Sequence, residues 1–277
     1  MARGGRGRKV SWTALGLVVL AVPVVAVAVS SGPERPAPRA PGPVVRAGLD
    51  DPVKKEIAMR LVSSAENSSL DWRAQYAYIE DIGDGRGYTA GIIGFCSGTG
   101  DLLKVVRAYT GVRPDNGLAR YLPALRQAVG SASHEGLDPG FPRAWRAAAQ
   151  DPAFRRAQDE ERDRGYFGPA VRRAKADGVG VLGQFAYYDA AVVHGVRGLR
   201  TIREKAVRGA EPPARGGDEV RYLHAFLDAR VAAMREEKAH RDTSRVDTAQ
   251  RVFLERGNLA LDTPLDWKVY GDRYHLD

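Results

Sequence analysis

The segment from Asp81 to Gly100 limits the fold more than any other part of the chain. Seven glycines fall at short intervals in it, between β-branched or aromatic pairs such as Tyr88-Thr89 and Ile92-Ile93. Helices tolerate glycine poorly, whereas tight turns between short strands often require it. The segment therefore predicts a small antiparallel sheet with tight turns.

The segments on either side have the spacing of helices. Asp51-Pro52 is an N-cap followed by a first-turn proline, and apolar residues then recur at helical intervals towards Ser64. Asp101 is expected to cap the next helix. Further helices are predicted at 144–149, 152–164, 169–193, 218–239 and 245–255, with a surface loop or lobe connection at 195–217 and an irregular tail from 258. The predicted class is mainly α with a small antiparallel β-sheet.

The first 46 residues are predicted to lie outside the fold. A basic segment precedes an apolar run from Ala14 to Val29, and small residues follow, which is the layout of a secretory signal peptide over 1–31. An uncleaved membrane anchor is the alternative, but the run is short and Pro23 interrupts it. Five prolines in 32–46 predict an extended linker. We therefore expect a secreted protein whose folded domain spans 47–277.

Charge and cysteine content exclude several classes of function. The formal net charge is +8, but residues 1–45 carry +5 of it, and the remaining +3 gives no basis for binding nucleic acid. Cys96 is the single cysteine, which excludes an internal disulfide, zinc fingers and iron–sulfur clusters. No histidine pair has zinc-ligand spacing and no glycine motif matches a phosphate loop, so neither a metal nor a cofactor is predicted.

Two acidic residues are candidates for acid–base catalysis. Glu66 follows the first predicted helix, where the negative end of the helix dipole favours a protonated carboxyl group, as a general acid requires. Asp84 lies between glycines that permit close approach of a ligand. One carboxyl group at a helix end and another on a turn suit glycoside hydrolysis, in which one protonates the leaving oxygen and the other activates water or attacks carbon. A solvated glutamate and an ordinary turn aspartate are the alternatives.

Other charged and nucleophilic residues permit further interpretations. The segment 94–98 resembles a nucleophile elbow with Cys96 as nucleophile, although no histidine stands in a context that would support a cysteine hydrolase. Asp189, Arg230 and Arg245 lie on otherwise apolar helical stretches. Buried charges must be paired, so these three residues predict a network of ion pairs.

Several motifs closely resemble the chitosanases of glycoside hydrolase family 46. They occupy residues 64–72, 78–89, 94–101, 184–189, 226–230 and 243–248, and the resemblance covers about residues 47–277. It implies a lysozyme-like fold of two lobes around a cleft, and endo-hydrolysis of β-1,4 bonds in chitosan with inversion. We expect a monomer that acts on this polycationic polysaccharide and whose cleft carboxylates attract it, since the domain as a whole carries positive charge.

The resemblance also implies roles for individual residues. Glu66 is the expected general acid, Asp84 the general base, and Thr89 the hydroxyl that helps to hold the attacking water. An inverting enzyme needs its two carboxyl groups about 6.5–9.5 Å apart, to leave room for that water. The expected substrate-binding residues are Asp101, Arg86, Tyr166 and Glu237, and the expected network behind Glu66 consists of Asp189, Arg230 and Arg245.

Two features depart from the family pattern. The loop between His194 and Gly216 is several residues shorter than is usual, and Arg241 stands in a stretch where negative charge is expected. Both bear on substrate affinity or on the number of subsites. The alternative functions are a lysozyme-like hydrolase of peptidoglycan or chitin, and a non-catalytic glycan-binding module.

Overall fold

The described part of the chain is mostly helical, with two small antiparallel sheets. The computed structural model describes residues 48–236 and 242–277. The helices are α1 (Pro52–Glu66), α2 (Asp101–Val112), α3 (Leu122–Ala128), α4 (Phe141–Ala148), α5 (Pro152–Arg162), α6 (Gly168–Ala176), α7 (Val181–Gly209), α8 (Glu219–Glu236) and α9 (Arg251–Glu255). The strands are β1 (Ile79–Asp81), β2 (Tyr88–Ala90), β3 (Phe95–Cys96), β4 (Leu265–Val269) and β5 (Asp272–Leu276). The predicted fold class is confirmed.

The glycine-rich segment forms the first sheet. β2 lies between β1 and β3 and is antiparallel to both, with Thr89 opposite Cys96. The β1–β2 turn carries Asp84 and Arg86. Its conformation requires glycine, because the φ values of Gly83, Gly85 and Gly87 are 72°, 84° and 69°.

The helix α7 runs through the core and carries Asp189. Every residue from 181 to 191 is buried, and the helix packs against α6 and α8. On α8, Phe226 stacks on Tyr187 with ring centroids 4.4 Å apart. Asp189 is consequently buried in the core, with 1% of its surface exposed.

The C-terminal hairpin packs behind the end of α1. Alternate residues of β4, namely Leu265, Trp267 and Val269, are buried. The indole Nε1 of Trp267 donates a hydrogen bond to Ser64 Oγ at 3.0 Å. The hairpin therefore supports the turn of helix that ends in Glu66.

Three predictions of secondary structure are wrong. The expected loop at 195–217 is largely helical, because α7 continues to Gly209 beyond a break at Gly195, with Leu199, Ile202 and Ala206 buried. The single helix expected at 169–193 is α6 and α7, since Gly178 ends α6 with a φ of 78°. The tail from 258 contains β4 and β5, whose alternation of buried and exposed residues outweighs the proline that precedes it.

Domain boundaries remain partly predictions. Residues 48–236 and 242–277 belong to one compact unit, and the division into two lobes stays a prediction. The predicted signal peptide and linker, residues 1–46, lie outside the described residues. Within the described ranges, no helix has the length and apolar character needed to cross a membrane.

Gly98→Ala is expected to destabilise the protein. A Cβ at this position would lie 2.5 Å from the carbonyl oxygen of Ser131 and 2.8 Å from that of Arg86. Overpacking of this kind costs about 1–3 kcal/mol, and each kcal/mol lowers the Tm of a domain of this size by roughly 2–4 °C. Gly111→Ala is the control, because an added Cβ there meets nothing within 4 Å. Equal Tm values for the two variants in a thermal melt would contradict the prediction.

Candidate active site

Glu66 ends α1 with its carboxyl group partly exposed. Its Oε1 lies 2.6 Å from Arg245 Nη1. Its Oε2 has no hydrogen-bond partner among residues 48–236 and 242–277 and faces Gly94, where a built Cβ would lie 3.9 Å from it. The same Cβ would lie 3.3 Å from the Thr89 methyl carbon, so Glu66 Oε2 and this methyl group both lie near Gly94.

Arg245 connects Glu66 to a buried network of ion pairs. Its Nη2 lies 2.6 Å from Asp189 Oδ1, and its Nε donates to Oδ2 at 3.3 Å. Arg230 Nη2 lies 2.6 Å from Asp189 Oδ2, and Gln250 Nε2 donates to the same oxygen at 2.7 Å. The structure thus brings together Asp189, Arg230 and Arg245 directly behind Glu66.

The two arginines keep Asp189 ionised. Burial raises the pKa of this carboxyl group, but Arg230 and Arg245 outweigh it and hold the pKa well below its usual range. Because the pKa is lower in the folded state, the network stabilises the fold above about pH 4, the pKa of an unfolded aspartate. That contribution is lost as the pH falls below this value towards the folded pKa.

Asp84 is paired with Arg86 in the β1–β2 turn. The Nη2 and Nε atoms of Arg86 donate to Asp84 Oδ2 at 2.6 and 2.8 Å, and its backbone nitrogen donates to Oδ1 at 2.9 Å. Burial lowers the pKa of Arg86, but the hydrogen bond to Asp84 and the negative groups around it, which include Glu66, raise it overall. Arg86 is therefore within electrostatic range of both candidate catalytic carboxylates.

Cys96 is not in the environment of a nucleophile. The residue is buried, its Sγ donates to the carbonyl oxygen of Gly94 at 3.3 Å, and it lies 3.4 Å from Thr89 Oγ1. Burial raises the pKa of the thiol, whereas a reactive cysteine needs a lowered one. This geometry gives no support to a cysteine hydrolase.

Asp101 begins α2 and does not cap it, contrary to prediction. The N-cap is Gly100, whose φ of 82° suits the sharp entry into the helix. The Asp101 carboxylate instead accepts hydrogen bonds at Oδ2 from Thr99 Oγ1 and Tyr166 Oη, both at 2.7 Å, and at Oδ1 from Lys104 Nζ at 3.1 Å. Two predicted binding residues, Asp101 and Tyr166, are therefore hydrogen-bonded to each other, and Asp101 also pairs with the ammonium group of Lys104.

Two of the residues singled out from the sequence lie outside the described part of the chain, and two residues that contact the candidate site were not predicted. Glu237 and Arg241 are outside the described residues. Gln250 was missed because a glutamine on an amphipathic helix carries no signal of its partners. Lys104 could have been found, since it stands three residues after Asp101, and such pairs are neighbours on a helix.

A cavity in the described part of the chain lies away from these residues. It measures about 770 Å³ between α6 and α7 and contains none of the candidate catalytic side chains. Its lining is strongly basic, with five arginines and one glutamate: Arg172, Arg173, Arg197, Arg200, Arg203 and Glu204. This charge is unsuited to a cationic ligand.

Comparison with known proteins assigns the family. Residues 60–265 match the family model described as Glycosyl hydrolase family 46. The chain belongs to this family. It is therefore a glycoside hydrolase, and the predicted family is confirmed.

Close relatives of this family 46 enzyme cover most of the chain. A chitosanase of Streptomyces sp. (strain N174) is 65% identical over 235 residues, covering 83% of this chain and 84% of that protein. A chitosanase of Nocardioides sp. (strain N106) is 56% identical over 268 residues, covering 95% and 96%. A co-crystal structure of chitosanase OU01 with substrate has a TM-score of 0.81 at 59% identity, covering 83% of this chain and 99% of that one.

Asp189→Asn is expected to lower the free energy of unfolding of this family 46 enzyme by about 3–5 kcal/mol, because it leaves Arg230 buried without a carboxylate partner. Asp228→Asn is the matched control. Asp228 also pairs with an arginine, Arg251 at 2.9 Å, but its side chain is 69% exposed, against 2% for Asp189. The control should cost less than about 1 kcal/mol in urea unfolding. Similar costs for the two variants would mean that the buried network does not stabilise the fold.

Proposed function

We propose that this enzyme is a secreted endo-chitosanase that hydrolyses β-1,4 bonds between glucosamine units with inversion at the anomeric carbon. Relatives named chitosanases at 65% and 56% identity support the substrate. The observation that carries the reaction is that Glu66 Oε2 and the side chain of Thr89 both lie near Gly94, with Asp84 on the turn that leads into the strand of Thr89. An acid, a base and a hydroxyl for water are the groups that such a reaction needs.

Glu66 is the proposed general acid. Arg245 holds Oε1, and Oε2, which has no hydrogen-bond partner in the described ranges, is the oxygen proposed to give its proton to the substrate. This oxygen protonates the glycosidic oxygen as the bond to the anomeric carbon breaks. Arg245 then stabilises the carboxylate that forms.

Asp84 is the proposed general base. Its hydrogen bonds from Arg86 favour the ionised carboxylate. It accepts a proton from water as the water oxygen attacks the anomeric carbon from the face opposite the leaving group, with Thr89 holding that water. A separation of about 6.5–9.5 Å between the two carboxyl groups is part of this proposal.

Asp101, Tyr166 and Arg86 are the proposed substrate-binding residues. The Asp101 carboxylate already accepts a hydrogen bond from a primary ammonium, that of Lys104. The amine of a glucosamine unit presents the same group. Glu237, in the segment outside the described residues, remains a predicted second carboxylate for substrate amines.

We also propose that the enzyme is exported and acts as a monomer. The basic, apolar and small-residue layout of 1–31 supports secretion, and the prolines of 32–46 support a linker before the catalytic domain. The membrane is involved only if this N-terminal segment stays uncleaved. All proposed catalytic residues belong to one chain, so we propose that a monomer suffices.

Glu66→Gln is expected to abolish the release of reducing ends from highly deacetylated chitosan, because the amide has no acidic proton to give. The matched control is Glu56→Gln, which alters another arginine-paired glutamate of α1, 2.8 Å from Arg73. The control should retain activity, and both variants should keep the circular dichroism spectrum of the wild type. Substantial activity in Glu66→Gln would overturn the assignment.

Clearing of peptidoglycan without cleavage of chitosan would favour the alternative hydrolase, and binding of chitosan without cleavage by the wild type would favour a non-catalytic module.

The stereochemistry of the product tests the roles of Asp84 and water. Direct displacement by water inverts a β-linkage, so the first reducing ends released from a glucosamine oligomer should be α-anomers. Proton NMR within the first minutes, before mutarotation, records the anomeric ratio. An initial excess of β-anomer would rule out the inverting mechanism.

A further inference from the structure

Tyr270 occupies the turn of the C-terminal hairpin in an unfavourable backbone conformation. Tyr270 and Gly271 form a two-residue turn between the paired residues Val269 and Asp272, with φ values of 53° and 91°. Positive φ at both central positions is typical of a type I′ turn, where Asn-Gly is strongly preferred. A bulky residue with positive φ is an outlier that persists where the surroundings or the function require it.

The hairpin brings this turn close to the candidate active site. The backbone nitrogen of Tyr270 donates to Ser244 Oγ at 2.9 Å, and the next residue, Arg245, lies 2.6 Å from Glu66. Behind the turn, Val269 is buried in the group of residues that surrounds Asp189 and Arg245. The turn is therefore tied directly to the segment that holds the proposed general acid.

The side chain of Tyr270 remains available to a ligand. It is 49% exposed, and its hydroxyl has no hydrogen-bond partner among the described residues. Desolvation raises the pKa of this phenol, while the charges of Arg245 and Glu66 act on it in opposite directions, so it lies within electrostatic range of both. At neutral pH the hydroxyl is consequently a proton donor, and the ring is a rigid surface with one polar end.

We infer that Tyr270 binds the glucosamine unit next to the bond that is cleaved, with its ring against the sugar and its hydroxyl in a hydrogen bond to it. This inference rests on the proposed function of Glu66. An asparagine would suit the turn but would offer no aromatic surface next to the segment of Ser244 and Arg245. Tyr270 is thus a substrate-binding residue at a position where stability alone favours another residue.

Three variants separate the effect of the strained backbone on stability from the effect of the side chain on substrate binding. Tyr270→Asn relieves the turn and removes the ring, so Tm should rise by about 2–4 °C while KM for a glucosamine hexamer rises about tenfold and kcat changes less. Tyr270→Leu is the matched control: it keeps a bulky residue at positive φ, so KM should rise similarly without a gain in Tm. Tyr270→Phe loses one hydrogen bond, and KM should rise about two- to fivefold.

Direct binding distinguishes this inference from the proposed function. Calorimetric titration of the hexamer into Glu66→Gln, with and without Tyr270→Asn, should show about tenfold weaker binding in the double variant. Unchanged KM and unchanged binding in the Tyr270 variants would overturn the inference and leave the role of Glu66 intact. A fall in kcat alone, with a shifted pH profile, would also overturn it, because Tyr270 would then act through Arg245. Activity in Glu66→Gln itself would instead refute the proposed acid.

Discussion

Arg245 is the residue on which both the core and the candidate active site depend. Its guanidinium binds the buried carboxylate of Asp189 with two nitrogens and Glu66 with the third. A buried charge is costly unless its partner is present, so the network is complete only when α7, α8 and the segment after 242 are all in place. The position of Glu66 Oε1 is therefore determined by ion pairs within the core as well as by the local end of α1.

The charge balance of this network bears on acid catalysis. With Glu66 ionised, Glu66 and Asp189 balance Arg230 and Arg245. Protonation of Glu66 leaves the group with one excess positive charge, which the proposed proton transfer to the substrate removes. Arg245 thus interacts more strongly with the product of that step than with its starting state, and such differential stabilisation lowers a barrier.

Short sequence patterns predict part of the fold and of the candidate site, but they cannot predict the features that depend on tertiary contacts. The glycines around Asp84 predict a turn and the apolar spacing before Glu66 predicts a helix, and the structure contains both elements. The sequence from Gly195 onward predicts a loop, but a buried face resumes at Leu199 and α7 continues to Gly209. The two short strands of the tail were missed because Trp267 and Val269 are buried only when α1 and the core lie against them. The bond between Asp101 and Tyr166, 65 residues apart, depends on tertiary structure in the same way.

The C-terminal hairpin shows how one small element can serve both stability and function. Its strand β4 directs Trp267 and Val269 inward, where the indole binds Ser64 and helps to hold the last turn of α1. Its turn exposes Tyr270 beside Arg245. Because burial of β4 fixes the register of the hairpin, the turn can tolerate an unfavourable residue without slipping. The packing of β4 against the core therefore allows the hairpin to keep an unfavourable backbone conformation at Tyr270. The same packing gives the inferred sugar contact a defined position relative to Glu66.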